Sequence, residues 1–272
     1  MLSQDEANDL IKRDGRLEEN SEMKKHLNKI YLKDCILGMK GLPDNSIHLC
    51  VTSPPYNLGI EYDTYDDARP WNEYYEWCEK WLSEIYRVLK PDGRLCLNHC
   101  MVGANNGEFT FCLAELSRIC QNIGFRFKSI ALWTDATIPK RTAWGSWMSA
   151  SAPYVSAPYE GILIFYKDVW KKENSGTSTI TKKDFIMATS GLWNIPTDKE
   201  RLSPAPFPVK LPKLCINLFS YETDVVLDPF MGSGTTGVAC QELGRFYIGF
   251  EIDKKYVKIA RKRIFKLKEV IC

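Results

Sequence analysis

Val225-Val226-Leu227-Asp228-Pro229-Phe230-Met231-Gly232-Ser233-Gly234-Thr235-Thr236-Gly237 passes from an apolar run into a glycine-rich turn and then into a helix-forming stretch. The Val-Val-Leu run reads as a short buried strand, and the residues from Thr235 to Leu243 read as the helix that follows it. A second strand, 246–250, leads directly to Glu251. Gly232, Gly234 and Gly237 spell Gly-x-Gly-x-x-Gly, a pattern of little weight alone. Here the glycines follow a strand, open a helix, and precede an acid by about 20 residues, where a ribose-binding carboxylate belongs.

Outward from this unit, the last third alternates strand and helix, with helices at 208–219, 235–243 and 254–268. Towards the N-terminus, 30–32 opens a short apolar segment, strands are predicted at 47–52, 94–98, 127–133 and 161–166, and helices at 73–89 and 108–122. Asp34-Cys35 leads into a helical turn, Pro91-Asp92-Gly93 forms a turn that launches a strand, and 134–158 reads as irregular loop. Tyr74, Trp77, Trp81, Ile85 and Leu89 are spaced for one helix face. The alternation predicts an α/β domain built on a doubly wound, mostly parallel sheet. Four segments follow: a charged N-terminal appendage (1–27), a catalytic region (28–166), a Lys-bearing insertion (167–200) expected to recognise the target, and a cofactor-binding region of the same domain (201–272).

Three ligands compete for the glycine turn. A nucleotide phosphate needs the lysine of a P-loop, and Gly234-Thr235-Thr236 carries none. A dinucleotide suits the glycines, but Asp228 would face its pyrophosphate with like charge. S-adenosylmethionine fits better: its cationic amino group pairs with Asp228, and Glu251 accepts from its ribose hydroxyls. A tight turn with no ligand is the plain alternative, though it does not call for an acid at the end of both strands.

Thr52-Ser53-Pro54-Pro55-Tyr56 ends the 47–52 strand. Two successive prolines fix φ and donate no hydrogen bond, which stiffens the turn and frees carbonyls as acceptors. The Ser53 hydroxyl and a proline carbonyl can both accept from an NH2 group, aiming its lone pair at an electrophile. Tyr56 adds a face for a planar base. A sulfonium methyl is activated enough that alignment and hydrogen bonding can suffice without a covalent intermediate. Taken alone, the stretch also reads as a Pro-rich turn after a strand.

With both motifs in one chain, the sequence resembles the β-group (permuted) DNA amino-methyltransferases of restriction-modification systems. The resemblance spans roughly residues 30–265 and implies the S-adenosylmethionine-dependent methyltransferase fold. It implies Ser53, Pro54, Pro55 and Tyr56 as the catalytic loop. It also implies Asp34, Phe207, Asp228, Pro229, Phe230, Gly232, Ser233, Gly234, Thr235 and Glu251 as cofactor-binding residues. Arg201-Leu202-Ser203-Pro204-Ala205-Pro206-Phe207-Pro208 departs from the family's His-Pro-Ala-x-Phe-Pro by lacking the His, so only Phe207 carries over as a cofactor wall. Tyr159-Glu160-Gly161 and the strand after it resemble the wall behind the target-base pocket.

Members with Ser before Pro-Pro-Tyr mostly methylate cytosine N4, which favours N4 over adenine N6 by about two to one. Thr142-Ala143-Trp144-Gly145-Ser146-Trp147 leans the same way. Either amine lies inside the duplex, so the target nucleotide must be flipped out. Trp144 is expected near the base pocket, and Lys171, Lys172, Lys182 and Lys183 in the insertion are expected to position phosphates. A solvated loop for the lysines and a core- or loop-anchoring role for the tryptophan are the alternatives. Expected partners are double-stranded DNA, a companion restriction endonuclease in function, and a second copy, since dimers are common in the group.

The formal net charge of +2 gives no global basicity, so nucleic-acid binding has to come from local patches. The ten cysteines include no CxxC pair and only three histidines accompany them, so no metal site is expected. Single cysteines suit a reducing cytosol, and the acidic N-terminus and absence of a long apolar run point to a cytoplasmic protein without membrane segments. Methylation of RNA or protein amides, an inactive DNA-binding module and a nicotinamide-dependent oxidoreductase stay open as rivals.

Overall fold

A computed structural model describes residues 21–61, 64–105, 107–135, 145–155, 157, 159–198, 202 and 207–271. In chain order the elements begin with α1 (Ser21–Lys24), β1 (Lys29–Leu32), α2 (Cys35–Met39), β2 (Ile47–Thr52), α3 (Trp71–Val88) and β3 (Leu89–Cys100). A hairpin of β4 (Gly103–Asn105) and β5 (Glu108–Thr110) follows, then α4 (Cys112–Ile123), β6 (Arg126–Thr134) and β7 (Tyr159–Tyr166). Next come α5 (Lys182–Thr189), β8 (Leu192–Asn194), α6 (Lys210–Phe219), β9 (Val225–Asp228), α7 (Thr235–Glu242), β10 (Phe246–Glu251) and α8 (Lys254–Ile271).

Eight strands form one sheet in the order β1-β10-β9-β2-β3-β7-β6-β8, and only β7 runs against its neighbours. Both faces are buried, and successive strand residues serve them in turn. Cys50, Leu95, Leu97 and Leu227 pack with Trp81, Ile85 and Leu116 of α3 and α4 on one face. Leu49, Val51, Cys96 and Val226 pack with Leu214, Val238 and Ile264 of α6, α7 and α8 on the other. This two-sided burial explains why the strands read as apolar runs. β2 and β9 are far apart in sequence yet adjacent in the sheet, with Leu49 opposite Val226 and Cys50 opposite Leu227. The Pro-Pro turn and the glycine turn therefore leave the sheet side by side, at the carboxyl end where open α/β sheets bind ligands.

Three expectations need correction. Pro91-Asp92-Gly93 lies within β3, as a bulge: Ile47 pairs with Leu89 and Leu49 with Arg94, so five residues span what two span on β2. The predicted 108–122 helix starts only at Cys112, because Glu108–Thr110 pairs back on Gly103–Asn105. The 167–200 segment is part of the sheet architecture, since it supplies α5 and the edge strand β8. Its isolated tryptophans are anchors: Trp193 is fully buried, and Arg94 sits over the Trp170 ring at 4.7 Å. Among the described residues no helix is long and apolar enough to cross a membrane.

Candidate active site

The two turns are fastened together at their first residues. The Thr52 hydroxyl donates to Asp228 Oδ1 at 2.8 Å, Phe230 N–H donates to the same oxygen at 3.0 Å, and the Thr236 hydroxyl donates to Oδ2 at 2.6 Å. Asp228 is buried and does not line the cavity described below. The expected pairing of Asp228 with a cationic amino group is corrected accordingly: three donors of this chain hold its carboxylate. Burial still pushes its pKa up to about 6, against the pull of those hydrogen bonds.

Beyond Asp228 the chain turns through Gly232 (φ +50°) and Gly234 (φ +85°) into α7. A Cβ on Gly234 would lie 2.8 Å from Ala260 Cβ on α8, so the glycine serves both the left-handed backbone and close helix packing. Gly232 N–H donates to Glu251 Oε2 at 2.8 Å, and Asp253 N–H donates to Oε1 at 2.9 Å. Glu251 thus fixes the glycine turn as well as facing the cavity, and burial raises its pKa above the ordinary glutamate range.

A cavity of about 320 Å³ opens over the junction, a size suited to a small-molecule cofactor. Asp34, Phe207, Pro229, Phe230, Gly232, Ser233, Thr235 and Glu251 line it, together with Ser53, Pro54, Pro55 and Tyr56. Of the expected cofactor residues only Asp228 and Gly234 stand back from it, behind the lining. Sequence reasoning missed Tyr65, Arg69, Trp77, Met231 and Tyr256 on its walls. Trp77 could be placed on α3 by periodicity, but its role as a wall appears only when α3 packs beside the glycine turn, 5.5 Å from the Phe230 ring. Among the described residues neither Asp34 nor Glu251 has an ion-pair partner. Aromatic walls with two acids fit an adenosine bearing a cationic tail.

At the other end of the cavity lies a compact polar network. Ser53 Oγ is 2.8 Å from Tyr56 Oη, and Tyr56 Oη donates to Glu160 Oε2 at 2.7 Å. Asn98 Nδ2 donates to Tyr56 Oη and to Glu160 Oε2, both at 2.7 Å. Asn98 and Glu160 come from β3 and β7, whose register sets Cys100 opposite Glu160 and Asn98 opposite Ile162. The Pro55 carbonyl accepts from Tyr74 Oη at 2.8 Å, which ties the turn to α3, and His99 Nε2 lies 2.8 Å from the same hydroxyl. The Tyr56 ring leans on His99 with centroids 4.3 Å apart. The Pro54 carbonyl accepts no hydrogen bond from the described residues and remains available beside Ser53. His99, Cys100 and Cys112 bring three metal-donor atoms within 4.8 Å of one another, a gathering that cysteine spacing did not foretell.

The expected DNA contacts fare differently. Trp144 lies outside the described residues. Lys171, Lys182 and Lys183 are exposed, but the Lys172 side chain is turned inward and pairs with Asp224 at 3.1 Å, so it is unavailable to phosphate. Residues 168–179 cross the foot of the sheet, where Asp168 and Val169 N–H donate to Pro91 O and Thr179 Oγ1 accepts from Arg245. That is the end opposite the Ser53 turn, so Lys171 and Lys172 lie far from the cavity. At the Ser53 end, residues 145–155 between β6 and β7 expose Trp147, Met148, Tyr154 and Val155, and the β4–β5 hairpin exposes Phe109.

With this geometry in hand, known proteins agree. The N6/N4 methyltransferase family model, described as DNA methylase, matches residues 47–262. The type II methyltransferase M.MjaVI of Methanocaldococcus jannaschii is 47% identical over 160 residues, covering 59% of this chain and 82% of its own. The type II methyltransferase M.HpaI of Haemophilus parainfluenzae is 30% identical, covering 87% of this chain and 74% of its own. Among solved structures, a DNA modification methylase of Thermus thermophilus, complexed with S-adenosyl-L-methionine, aligns with TM-score 0.71 at 26% identity, covering 88% of this chain and 93% of its own. PvuII DNA methyltransferase, cytosine-N4-specific, shares the fold with TM-score 0.69 at 22% identity, covering 89% and 90%. The architecture is the S-adenosylmethionine-dependent methyltransferase fold. The chain belongs to the N6/N4 DNA methylase family and is a DNA amino-methyltransferase of restriction-modification type.

Proposed function

We propose that this enzyme uses S-adenosyl-L-methionine to methylate the exocyclic N4 of cytosine in double-stranded DNA, on a nucleotide flipped out of the helix. The observation that carries the reading is the neutral hydroxyl of Ser53, set beside the free Pro54 carbonyl at one end of the cofactor-sized cavity. Phe207, Phe230, Trp77, Asp34 and Glu251 would hold the cofactor, which supplies an activated methyl group when bound. Ser53 Oγ and Pro54 O accept the two amine protons, turning the nitrogen lone pair out of ring conjugation and towards the cofactor. Tyr56 bounds the base pocket, held by His99 behind it.

The 6-amino group of adenine offers the same two protons, and Ser53 would serve it by the same geometry; it is the second reading. For the DNA itself, the exposed apolar side chains between β6 and β7 adjoin the Ser53 end and suit insertion into a distorted duplex. The lysines of 167–183 are not assigned to it. Labelled cofactor incubated with separate DNA, RNA and protein pools tests the substrate class. Label is expected in DNA; label in RNA or protein with none in DNA contradicts the proposal.

A further inference from the structure

Methylating an amine leaves one proton to be disposed of, and the Ser53 network has a fixed direction that suits its removal. Glu160 has no proton to give when ionised, so the Tyr56 hydroxyl proton points to Glu160 Oε2 at 2.7 Å. The short bonds of Asn98 Nδ2 run to Tyr56 Oη and Glu160 Oε2 at 2.7 Å, with Ser53 Oγ a longer 3.4 Å away, and the single Tyr56 proton is already given to Glu160. Tyr56 Oη therefore accepts from Ser53 at 2.8 Å, and the Ser53 proton points away from the cavity. The Ser53 lone pairs are left facing an incoming amine.

We infer that Glu160 is the terminal proton acceptor of methyl transfer, reached from Ser53 through the hydroxyl of Tyr56. The inference rests on the reading that an exocyclic amine reacts beside Ser53, and it holds for cytosine and adenine alike. The amine lone pair forms the N–CH3 bond as the methyl–sulfur bond breaks, and the breaking pair stays on sulfur. The surplus proton on nitrogen passes to Ser53 Oγ, the Ser53 proton to Tyr56 Oη, and the Tyr56 proton to Glu160 Oε2. Ser53 and Tyr56 end neutral, and Glu160 ends as the carboxylic acid.

The surroundings favour that end state. Glu160 is enclosed with Tyr56 from the turn after β2 and with His99 and Cys100 from the end of β3. Among the described residues no Lys or Arg pairs with it. Burial raises its proton affinity above that of an ordinary glutamate, while the bonds from Tyr56 and Asn98 hold it back. Asn98 Oδ1 is buried without a partner, so Asn98 acts here as a donor that keeps the carboxylate ionised between turnovers.

The test uses the full chain, E160Q and Y56F. Single-turnover methyl transfer should slow by about 100-fold or more in both variants. The wild-type rate should rise with pH through the Glu160 transition, and E160Q should lose that limb. Calorimetry should find cofactor affinity within about two-fold of wild type in both, as expected for groups acting on the proton and not on cofactor binding. Infrared difference spectra of wild type against E160Q, which need no DNA, should show a carboxylate protonating above the ordinary glutamate range. Either variant transferring at the wild-type rate, or a Glu160 band titrating in the ordinary range, overturns the relay. Failure of the wild type to methylate DNA at all would instead count against the proposed function.

Discussion

The Thr52 hydroxyl donates to Asp228 Oδ1 across 2.8 Å, joining the last residue of β2 to the last residue of β9. One strand opens the Ser-Pro-Pro-Tyr turn and the other opens the glycine turn, 176 residues apart in sequence. The turn proposed to hold the amine and the turn proposed to hold the cofactor are thus set against each other by a buried hydrogen bond between neighbouring parallel strands. Positioning on this scale decides rates when alignment is most of the chemistry.

Asp228 bears a charge at neutral pH in a place that disfavours it. Because burial pushes its pKa up to about 6, the native state holds this proton more tightly than the unfolded chain does. The resulting stabilisation is complete below about pH 4 and is lost as pH rises through about 6. D228N, neutral throughout, lacks this slope. The stability difference between wild type and D228N, from denaturant unfolding, should therefore move by about 2 kcal/mol against the wild type between pH 4 and pH 7. Parallel stability curves would contradict this.

Gly234 combines φ +85° with a Cβ position 2.8 Å from Ala260 Cβ. G234A should cost at least about 2 kcal/mol, from left-handed strain and displacement of α8. Thermal unfolding should show a Tm lower by roughly 4–8 °C. An unchanged Tm would mean that α8 can shift freely.

Lys172 is a structural cation in this fold, with its side chain 7% exposed beside Asp224 at 4%. K172A should destabilise the protein by about 3 kcal/mol, because it leaves Asp224 buried beside His48, whose own burial pushes its pKa down to about 4 and leaves it neutral at neutral pH. The affinity of the folded variant for DNA, and its dependence on salt, should match the wild type. A shallower salt dependence with normal stability would restore the phosphate-binding role.

How much of this was legible in the sequence follows from what each signal depends on. The buried strands β2, β9 and β10 and the helix α3 were readable because two-sided burial and helical periodicity are local patterns. The lining residues on the two turns, Ser53 to Tyr56 and Pro229 to Thr235, were readable because strand ends and glycine turns carry their own geometry, whereas Tyr65, Arg69, Trp77 and Tyr256 reach the cavity only through packing. Asp228 was placed correctly at its strand end but assigned the wrong partner, since Thr52 and Thr236 approach it only through the sheet order and the turn. Lys172 looked solvated for the same reason: Asp224 stands 52 residues away. Asn98 and Glu160 sat in plain view inside apolar strands, and only the antiparallel pairing of β3 with β7 brings them to Tyr56. Cysteines read as small apolar side chains are just that for the most part; of the nine described, only Cys100 is not buried.

In the proposed reaction Ser53 presents a cytosine amine to the cofactor. The most direct test is nucleoside mass spectrometry of unmethylated double-stranded DNA treated with S-adenosyl-L-methionine and either the wild type or S53A. N4-methylcytosine is expected from the wild type, at a level about 100-fold or more above S53A in the same time. N6-methyladenine without N4-methylcytosine would contradict the base assignment, and equal N4-methylcytosine from S53A would contradict the role of Ser53 itself.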